Sequence, residues 1–473
     1  MARDVFGLDL ERIEEILPRY AIEGPRYTSY PTAPVWKEDF GVEQYKTELA
    51  GDATESTSAP DEGDGLSLYV HVPFCSSLCH FCACNRVITS KAELPLKFLD
   101  TIEREVAAVR EASGPRTASQ QHWGGGTPIH LTPDQVKRLF YTVTDAFPMR
   151  ADAEISIEVD PRVTTDEHVA ALRECGFNRI SLGVQDIDPK VQEAVHRIQP
   201  IEQTRHLVEV SRATGFVGVN FDLIYGLPYQ TEESFSRTLD QVLEIEPDRL
   251  ALYSYAHVTW IAKQQRGFER KDLPGASTKI RIMLMAIERF LDAGYRFIGL
   301  DHFAKPEDEL SQALEDRTLR RNFMGHTTQA GVDLIGFGPS AISELRASYA
   351  QSQRKLEDWE EAVRDRGLAT MRGHQLTRDD IERRWVIGRL MCHGELRADE
   401  YEAAFEQPFA SRFASELRQL EPIVADGLIE RTPDGGLIVT PLGRLLVRNI
   451  AMTFDAYLAD QQKGEQPMFS KTV

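Results

Sequence analysis

Four of the six cysteines fall within ten residues of one another, in the stretch LSLYVHVPFCSSLCHFCACNRVI at residues 66–88. They are Cys75, Cys79, Cys82 and Cys84, with the spacing C-x3-C-x2-C-x-C. Thiolates are soft ligands that suit zinc or an iron–sulfur cluster. Structural zinc sites usually pair C-x2-C elements that lie far apart, and no distant C-x2-C exists here. The crowding of these thiols therefore favours a cluster.

The number of ligands decides what such a cluster can do. Three cysteines can hold three irons of a [4Fe–4S] cube and leave the fourth iron open to a substrate or cofactor. The alternative is a structural zinc knuckle without a redox role. Cys175 and Cys392 stand alone in helical contexts and are predicted to be buried thiols. This distribution does not suggest a disulfide framework.

The cysteines must be positioned by the elements around them. An apolar run at residues 66–72 leads straight into them and predicts a buried strand followed by a cysteine-bearing loop. From there to about residue 342, β-rich runs alternate with amphipathic helices, which predicts parallel βα units. Strands are expected near residues 66–72, 120–123, 154–159, 179–184, 217–224, 249–255 and 296–300. Helices are expected near residues 94–111, 133–146, 166–175, 202–214, 232–245 and 277–293.

Most of these strands end in polar or glycine-rich residues. Functional side chains gather at the C-terminal strand ends of a βα barrel. No G-x-G-x-x-G follows the first strand, which argues against a Rossmann domain. We therefore predict an α/β fold, a partial (β/α) barrel whose site lies at the strand ends. The segments at that edge, besides the cysteine loop, are 124–128, 158–160, 183–186, 222–226 and 255–257.

Three segments are predicted along the chain. Residues 1–65 hold a helix near 8–20, an arm at 24–32 and a flexible linker at 50–65. The arm is expected to be a surface loop, with an ordered arm over a pocket and Arg26 free for an anion as the alternative. Residues 66–365 form the barrel. Residues 366–473 form a mainly helical, winged-helix-like domain, with helices at 376–392, 411–420 and 441–458 and a hairpin at 427–440.

Composition limits the partners of this protein. A formal charge of −20 argues against general binding of nucleic acid or anionic membranes. No apolar run is long enough to span a bilayer, and the acidic, amphipathic N-terminus is unlike a signal peptide. We therefore expect a cytoplasmic protein that does not insert into membranes, and we expect a monomer.

The motif C-x3-C-x2-C at the end of a first barrel strand, with Phe81 before the third cysteine, resembles the radical S-adenosylmethionine (SAM) superfamily. Further segments resemble one family within it, the oxygen-independent coproporphyrinogen III dehydrogenases. The resemblance runs from about residue 20 to the C-terminus. Its segments are RYTSYPT at 26–32, YVHVPFC at 69–75, HWGGGTP at 122–128, EVDPR at 158–162, GVQD at 183–186, DLIYGLP at 222–228 and DHF at 301–303.

This resemblance implies a set of site residues and cofactors. Cys75, Cys79 and Cys82 would ligate a [4Fe–4S] cluster, and Cys84 would be a further, catalytic cysteine near the site. The family is described as holding two SAM molecules per chain. The positions that match contacts to the SAM on the cluster are Tyr69, Gly125, Glu158 and Ile342. The positions that match contacts to the second are Phe81, Gly126, Thr127, Gln185, Arg197, Asp222 and Ala256.

The residue types suit these roles, but each has a structural alternative. A glycine-rich strand end lets backbone approach a ligand, or it is only a tight turn. Glu158 and Asp222 suit an ammonium group or ribose hydroxyls, or they cap helices. Arg197 suits a carboxylate, or it is a solvated surface charge.

Histidines and a basic pair are weaker candidates. The strand-side histidines are expected to be satisfied core or rim groups, whereas His302 is a possible site residue. Arg320 and Arg321 could face the propionates of the substrate, or they form a solvated pair. The strand-side histidines are His71, His122 and His257.

The implied activity is the oxidative decarboxylation of two propionates of coproporphyrinogen III to vinyl groups, giving protoporphyrinogen IX without oxygen. An unidentified electron donor and acceptor are required. The alternative is a haem-binding chaperone of the same superfamily, which typically lacks the fourth cysteine, the arm and the RNFxG segment at 321–325. The chain departs from the family pattern at Met324 and His326, which puts substrate contacts in question, and at His80 and Ala83.

Overall fold

The computed structural model describes residues 10–51, 65–259, 262–329, 331–461, 469 and 472. Contacts divide the chain into two compact units. The sheet unit comprises Trp36–Leu273 and Gly331–Leu376, and the terminal unit comprises Met1–Val35, Pro274–Ala330 and Thr377–Val473. Most of the predicted linker lies outside the described residues. The three-segment division of the sequence stays a prediction. Among the helices that the structure describes, none combines the length and the apolar character that crossing a bilayer requires.

The helices follow the predicted order. They are α1 (Leu10–Tyr20), α2 (Val42–Leu49), α3 (Glu93–Ser113), α4 (Pro133–Ala146), α5 (Asp166–Cys175), α6 (Pro189–Ala194), α7 (Ile201–Ala213), α8 (Glu232–Ile245), α9 (Ala276–Asp292), α10 (Glu309–Glu315), α11 (Leu356–Arg366), α12 (Arg378–His393), α13 (Ala398–Phe405), α14 (Phe409–Arg412), α15 (Ala414–Gln419), α16 (Glu421–Ala425), α17 (Pro441–Leu445), α18 (Val447–Met452) and α19 (Leu458–Gln461).

The strands alternate with the helices in the first half of the chain and cluster after residue 295. They are β1 (Leu66–Val72), β2 (Phe74–Cys75), β3 (Val87–Ile88), β4 (Ala118–Gly125), β5 (Met149–Val159), β6 (Arg179–Gln185), β7 (Gly218–Tyr225), β8 (Arg249–Ser254), β9 (Arg296–Gly299), β10 (His302–Ala304), β11 (Arg320–Asn322), β12 (Gly325–Thr327), β13 (Asp333–Phe337), β14 (Ile342–Leu345), β15 (Ser348–Ser352), β16 (Thr370–Gln375), β17 (Glu395–Leu396), β18 (Ile429–Arg431) and β19 (Leu437–Val439).

One large sheet organises the sheet unit, in the order β16-β15-β14-β13-β1-β4-β5-β6-β7-β8. From β13 to β8 every neighbouring pair is parallel, which confirms the predicted βα units. Beyond β13 the sheet continues through antiparallel pairs to β16. The sequence analysis missed this extension, because short strands joined by tight turns break the βα alternation.

Local signals explain where several helices begin. Thr132 starts α4 by accepting a hydrogen bond from the N–H of Gln135, at 3.4 Å. Thr165 and Thr231 cap α5 and α8 in the same way. Such caps satisfy N–H groups that have no partner within the helix. The helix predicted near residues 133–146 is confirmed as α4.

The parallel strands present two different faces. Residues such as Trp123, Ile157, Leu182 and Phe221 are fully or almost fully buried. Alternate positions are polar and half-buried; in β6, for example, Arg179, Ser181, Gly183 and Gln185 are half-buried while Ile180, Leu182 and Val184 are buried. Because side chains alternate along a strand, the apolar face packs under helices and the polar face remains available for a site.

The N-terminal arm at residues 24–32 is not the surface loop that its two prolines suggested. Within the terminal unit, Tyr30 is only 1% exposed and its hydroxyl accepts a hydrogen bond from the N–H of Ala456, at 3.0 Å. The Tyr27 hydroxyl donates to Asp455. Arg26 forms an ion pair with Asp301, so its charge is not free for another anion. The surface-loop prediction is therefore wrong.

The C-terminal region confirms the predicted hairpin and corrects two helices. Strands β18 and β19 pair antiparallel as expected. The predicted helix at 441–458 is instead α17 and α18 with a break at Leu446, followed by α19. The predicted helix at 411–420 breaks at Phe413. Both break residues are at most 1% exposed, so burial of these side chains in the core overrides helical continuity.

A buried carboxylate ties α3 to the end of the sheet. Glu105 is 2% exposed and accepts hydrogen bonds from the N–H of Gly338, at 2.8 Å, and from the Trp359 indole, at 3.0 Å. Burial raises the pKa of Glu105 to about 7, although both donors favour the ionised form. Removing a donor leaves a buried acceptor unsatisfied, and the penalty is larger when the carboxyl is charged.

Trp359→Phe is therefore expected to lower the free energy of unfolding by about 1–3 kcal/mol, and more at pH 8.5 than at pH 6. Trp359→Ala is expected to cost about 3–5 kcal/mol at either pH, because it also leaves a cavity. Urea unfolding followed by circular dichroism measures both. Leu96→Ala, on the exposed side of α3, is the control and should cost less than about 1 kcal/mol. If Trp359→Phe lowered the free energy of unfolding by the same amount at pH 8.5 and pH 6, the charge on Glu105 would have no part in the effect.

Candidate active site

The cysteine loop is anchored at both ends by backbone pairing. After β1, the strands β2 and β3 pair parallel, with Phe74 opposite Val87 and Cys75 opposite Ile88. The N–H of Thr89 donates to the carbonyl of Cys75, at 3.0 Å. The two ends of the intervening loop, residues 76–86, are therefore held together next to the end of β1. This confirms that the clustered cysteines follow the first strand.

The thiols of this loop lie close enough to influence one another. Burial, and then the charges of Cys82 and Cys79, raise the pKa of Cys75 to about 12. A hydrogen bond with Cys84 lowers the pKa of Cys82 to about 6. Cys79 is buried and Cys84 is exposed. Cys84 thus lies beside Cys82, at the open side of the loop.

The donor set fits a cluster. Within the described ranges, no group of three or more His, Cys, Asp or Glu side chains converges on a single metal ion. Thiolates that each hold a different iron of a cube would not form such a group. Cationic hydrogen-bond donors also reach Cys79, as expected around an anionic iron–sulfur ligand. Cys75, Cys79 and Cys82 are the residues that would hold the cluster.

Two arginines converge on Cys79. Nη2 of Arg162 lies 3.5 Å from its Sγ, and Nη1 of Arg197 lies 3.6 Å from it. Asp160 binds both guanidinium groups, at 2.6 Å and 3.1 Å. Burial opposes ionisation of Asp160, but the hydrogen bonds and charges of the two arginines hold its pKa below the usual value. All three groups are therefore charged.

This network was only partly predicted. Arg197 was a candidate, but it is 7% exposed, so the solvated alternative is wrong. Its Nη2 also donates to the carbonyl of Gly183, at 2.6 Å, while its Nε is buried without a hydrogen-bond partner among the described residues. Asp160 and Arg162 received no role in the sequence analysis. Their place at a strand end in the segment EVDPR was the signal that could have identified them.

The glycine-rich end of β4 approaches the cysteine-bearing strands closely. Gly125 has a φ of 120°, and a Cβ on Gly126 would lie 2.5 Å from the carbonyl oxygen of Phe74. The N–H groups of Gly126 and Thr127 donate to Val72 and Phe74. Gly126 is therefore required because the backbone of the neighbouring strand leaves no room for a side chain. The Thr127 hydroxyl is buried with no hydrogen-bond partner in the described chain, which suits a bound polar ligand.

A row of polar side chains crosses the strand ends from β4 to β7. His122 Nδ1 lies 2.7 Å from the Ser156 hydroxyl, and its Nε2 lies 3.4 Å from Glu158. Ser181 donates to Asp222 at 3.3 Å, and the register places Glu158 opposite Ser181.

Helices α5 and α8, which follow these strands, are capped by threonines, so the alternative that Glu158 and Asp222 are N-caps is wrong.

Asp222 has an unusual electrostatic setting within this row. Burial, with a smaller contribution from the Glu158 charge, raises the pKa of Asp222 to about 7. Asn220 and Ser181 each donate a hydrogen bond to it. The side chain of Glu158, in contrast, is 47% exposed. A carboxyl group poised near neutral pH in a half-buried site marks a candidate binding residue.

Aromatic residues border the row on the side of β1. The Tyr69 ring stacks on His122, with ring centroids 6.0 Å apart and planes inclined by 20°. Its hydroxyl is 3.1 Å from His71, whose other nitrogen is 2.9 Å from the carbonyl of Asn85. His71 is thus the satisfied core group that was expected. The carbonyl of Ile342 would lie 2.5 Å from a Cβ on Gly336, the residue opposite Tyr69.

Phe81 and Ala256 are held together by a residue that the sequence analysis missed. The buried Gln265 donates from its amide to the carbonyls of Phe81, at 3.0 Å, and Ala256, at 3.1 Å. Phe81 packs against a buried apolar cluster that includes Tyr255 and Phe268. No motif marks Gln265, which lies in a short 3-10 helix (Lys263–Gly267) far from the cysteines in sequence.

Gln185 ends β6 in a strained conformation. Its φ is 67°, in the left-handed region that residues other than glycine rarely adopt. The register places Gly183 opposite Asp222 and Gln185 opposite Leu223. Gln185 therefore lies one residue from the Asp222 row, and its strain is typical of a functional strand end.

The terminal unit carries the remaining candidates. Asp301 binds Arg26, and the ring of His302 meets the ring of His326 edge to face, with centroids 4.9 Å apart. In the hairpin β11–β12, Arg321 lies opposite His326. Arg320 Nη1 lies 3.2 Å from His393 Nε2. The alternative of a solvated basic pair is wrong, because both arginines are half-buried.

Known proteins resemble this chain over most of its length. The Radical SAM superfamily model matches residues 69–242. The oxygen-independent coproporphyrinogen III oxidase of Escherichia coli K12 is 44% identical over 458 residues, covering 97% of this chain and 98% of that protein. The Synechocystis enzyme of the same name is 42% identical over 464 residues, with 97% of each chain covered.

A solved structure gives the same result. The structure described as coproporphyrinogen III oxidase (HemN) from Escherichia coli, a radical SAM enzyme, superposes with a TM-score of 0.87 at 44% identity. The match covers 91% of this chain and 97% of that one. The predicted α/β fold, a partial barrel of the radical SAM type, is confirmed. This chain belongs to the oxygen-independent coproporphyrinogen III oxidase family of radical SAM enzymes.

Proposed function

We propose that this chain converts two propionate side chains of coproporphyrinogen III to vinyl groups without oxygen, giving protoporphyrinogen IX for haem biosynthesis. The observation that carries this proposal is the cysteine loop after β1, whose three candidate ligands lie beside the polar strand ends, in a chain of this family. Radical SAM membership implies a [4Fe–4S] cluster and SAM.

The cluster and SAM, held at the cysteine loop, would supply the radical chemistry that removes one hydrogen atom from the β-carbon of a propionate. The substrate then loses carbon dioxide and passes one electron to an acceptor, leaving the vinyl group. The chain orients the reactants and excludes water. Tyr69 and His122 form an aromatic wall at the strand ends, and the Thr127 hydroxyl is placed to bind a polar ligand.

Two SAM molecules per chain fit the arrangement of the row. Tyr69, Gly125, Glu158 and Ile342 lie on β1, β4, β5 and β14. In the second set, Phe81 lies in the cysteine loop and Gly126 and Thr127 directly follow β4, while the other members extend to β6, β7 and the segment after β8. A carboxylate at each end, Glu158 and Asp222, gives each SAM its own acceptor for an ammonium group or ribose hydroxyls. The second set comprises Phe81, Gly126, Thr127, Gln185, Arg197, Asp222 and Ala256.

Anaerobic turnover of the reconstituted protein tests the reaction. With a reductant, an added electron acceptor, SAM and coproporphyrinogen III, we expect carbon dioxide, a divinyl product and 5′-deoxyadenosine, and none of them with Cys79→Ala. Vinyl product without 5′-deoxyadenosine would exclude radical chemistry. Stoichiometric haem binding without decarboxylation would support the chaperone alternative, which no structural observation favours.

The electron donor and acceptor, the cytoplasmic location and the monomeric state stay predictions.

Substitution of single cysteines tests which of them are ligands. Cys75→Ser, Cys79→Ser and Cys82→Ser should each lose most of the iron, whereas Cys84→Ser should keep about four irons per chain but lose turnover. Iron and sulfide analysis with electron paramagnetic resonance (EPR) measures this. Cys175→Ala, which removes a buried thiol on α5, is the control. Loss of iron in Cys84→Ser would make Cys84 a ligand.

Equilibrium dialysis with labelled SAM tests the second site. The wild-type protein is expected to bind two equivalents, and Asp222→Asn and Glu158→Gln one each. Because the pKa of Asp222 is about 7 and its ionised form accepts the ligand's donors, affinity at one of the two sites should be about tenfold weaker at pH 6 than at pH 8. That pH effect should vanish in Asp222→Asn and persist in the exposed control Asp134→Asn. Binding of a single equivalent by the wild type would refute the second site.

A further inference from the structure

Cys79 differs from the other candidate ligands in its surroundings. It is buried, and two guanidinium groups point at its sulfur, from Arg162 at 3.5 Å and from Arg197 at 3.6 Å. Among the described residues, neither Cys75 nor Cys82 receives a hydrogen bond from an arginine. Cys79 therefore receives arginine hydrogen bonds from the described residues, whereas Cys75 and Cys82 are influenced by the nearby charge of Arg86 without such a bond.

The arginines are fixed in place by one carboxylate. Oδ1 of Asp160 accepts from the backbone N–H of Arg162, at 3.1 Å, and from its Nε, at 3.0 Å. Oδ2 accepts from Nη2 of Arg162, at 2.6 Å, and from Nη1 of Arg197, at 3.1 Å. The same guanidinium ends that bind Asp160 also reach the sulfur. Asp160 thus sets the direction in which each donor points.

The charge of this group is not balanced. Two guanidinium ions share one carboxylate, which leaves a net positive charge beside Cys79. Hydrogen bonds and positive charge at a cluster thiolate stabilise the reduced cluster more than the oxidised one, because reduction adds negative charge. Burial strengthens this effect, since little water remains to screen it.

We propose that Arg162 and Arg197, oriented by Asp160, raise the reduction potential of the cluster by donating hydrogen bonds to the Cys79 thiolate. This inference rests on the proposed function, because Cys79 must hold the cluster. Arg162 is a positioning and tuning residue, with no assigned contact to SAM or substrate. Arg197 combines this role with its position beside the proposed second SAM.

The test is a redox titration of the full-length, anaerobically reconstituted protein without SAM, followed by the EPR signal of the reduced cluster. In Arg162→Gln, we expect the equilibrium constant for reduction to fall at least tenfold, a shift of about 59 mV to more negative potential for one electron. Arg162→Lys keeps the positive charge but loses the planar guanidinium group that binds Asp160 and Cys79 together, so it should give a smaller shift of the same sign. Arg138→Gln, which removes an arginine bound by Asp100 and Glu103 on the surface, should not shift the potential.

Iron and sulfide content is measured on the same samples. Full iron with an unchanged potential in Arg162→Gln would overturn the proposal. If that variant fails to load iron, Arg162→Lys decides: a negative shift supports the proposal, and an unchanged potential overturns it. A wild-type protein that holds no cluster would instead refute the proposed function itself.

Discussion

The register of the parallel strands from β1 to β8 is the constraint on which the site depends. Pairing places His122 opposite Ser156, Glu158 opposite Ser181 and Gly183 opposite Asp222. Side chains alternate between the two faces of a strand, so a slip of one residue would bury the carboxylates under helices. The same slip would move apolar side chains such as Phe221 onto the polar face. The backbone hydrogen bonds of the sheet therefore determine the chemistry of its edge.

Buried charge is the second organising interaction. Isolated charges in a protein interior are costly, and they persist where partners satisfy them. Asp160 meets this condition for Arg162 and Arg197 and leaves their outer N–H groups directed at Cys79. In the middle of β5, Glu154 pairs with Arg179 at 3.2 Å. Buried ion pairs thus lie within β5 and just beyond its C-terminal end, and the pair beyond the end is the one that faces a candidate cluster ligand.

The terminal unit shows how a segment with no regular structure becomes fixed. Its arm is held by side-chain hydrogen bonds to Asp455 and Asp301, which lie more than 270 residues away in sequence. Two residues that depart from the family pattern, Met324 and His326, lie in this unit. The N–H of Met324 donates to Asn322 at 2.9 Å within the β11–β12 turn. Burial and the nearby His302 and Arg321 charges lower the pKa of His326 well below its usual value, so this ring is neutral.

The sequence alone determined the βα alternation, the loop after β1 and the set of polar strand ends, because periodicity and local turn chemistry are properties of short segments. It also pointed to Cys75, Cys79 and Cys82 through their spacing. Tertiary structure decided what depends on residues far apart in the chain. Asp160 gathers Arg162 and Arg197 at Cys79, and Gln265 links Phe81 to Ala256. The segment EVDPR marks Asp160 and Arg162 as strand-end residues, but no local pattern shows which distant residues they or Gln265 contact. The buried arm and the broken C-terminal helices also follow from packing, since burial of large side chains outweighs local propensity.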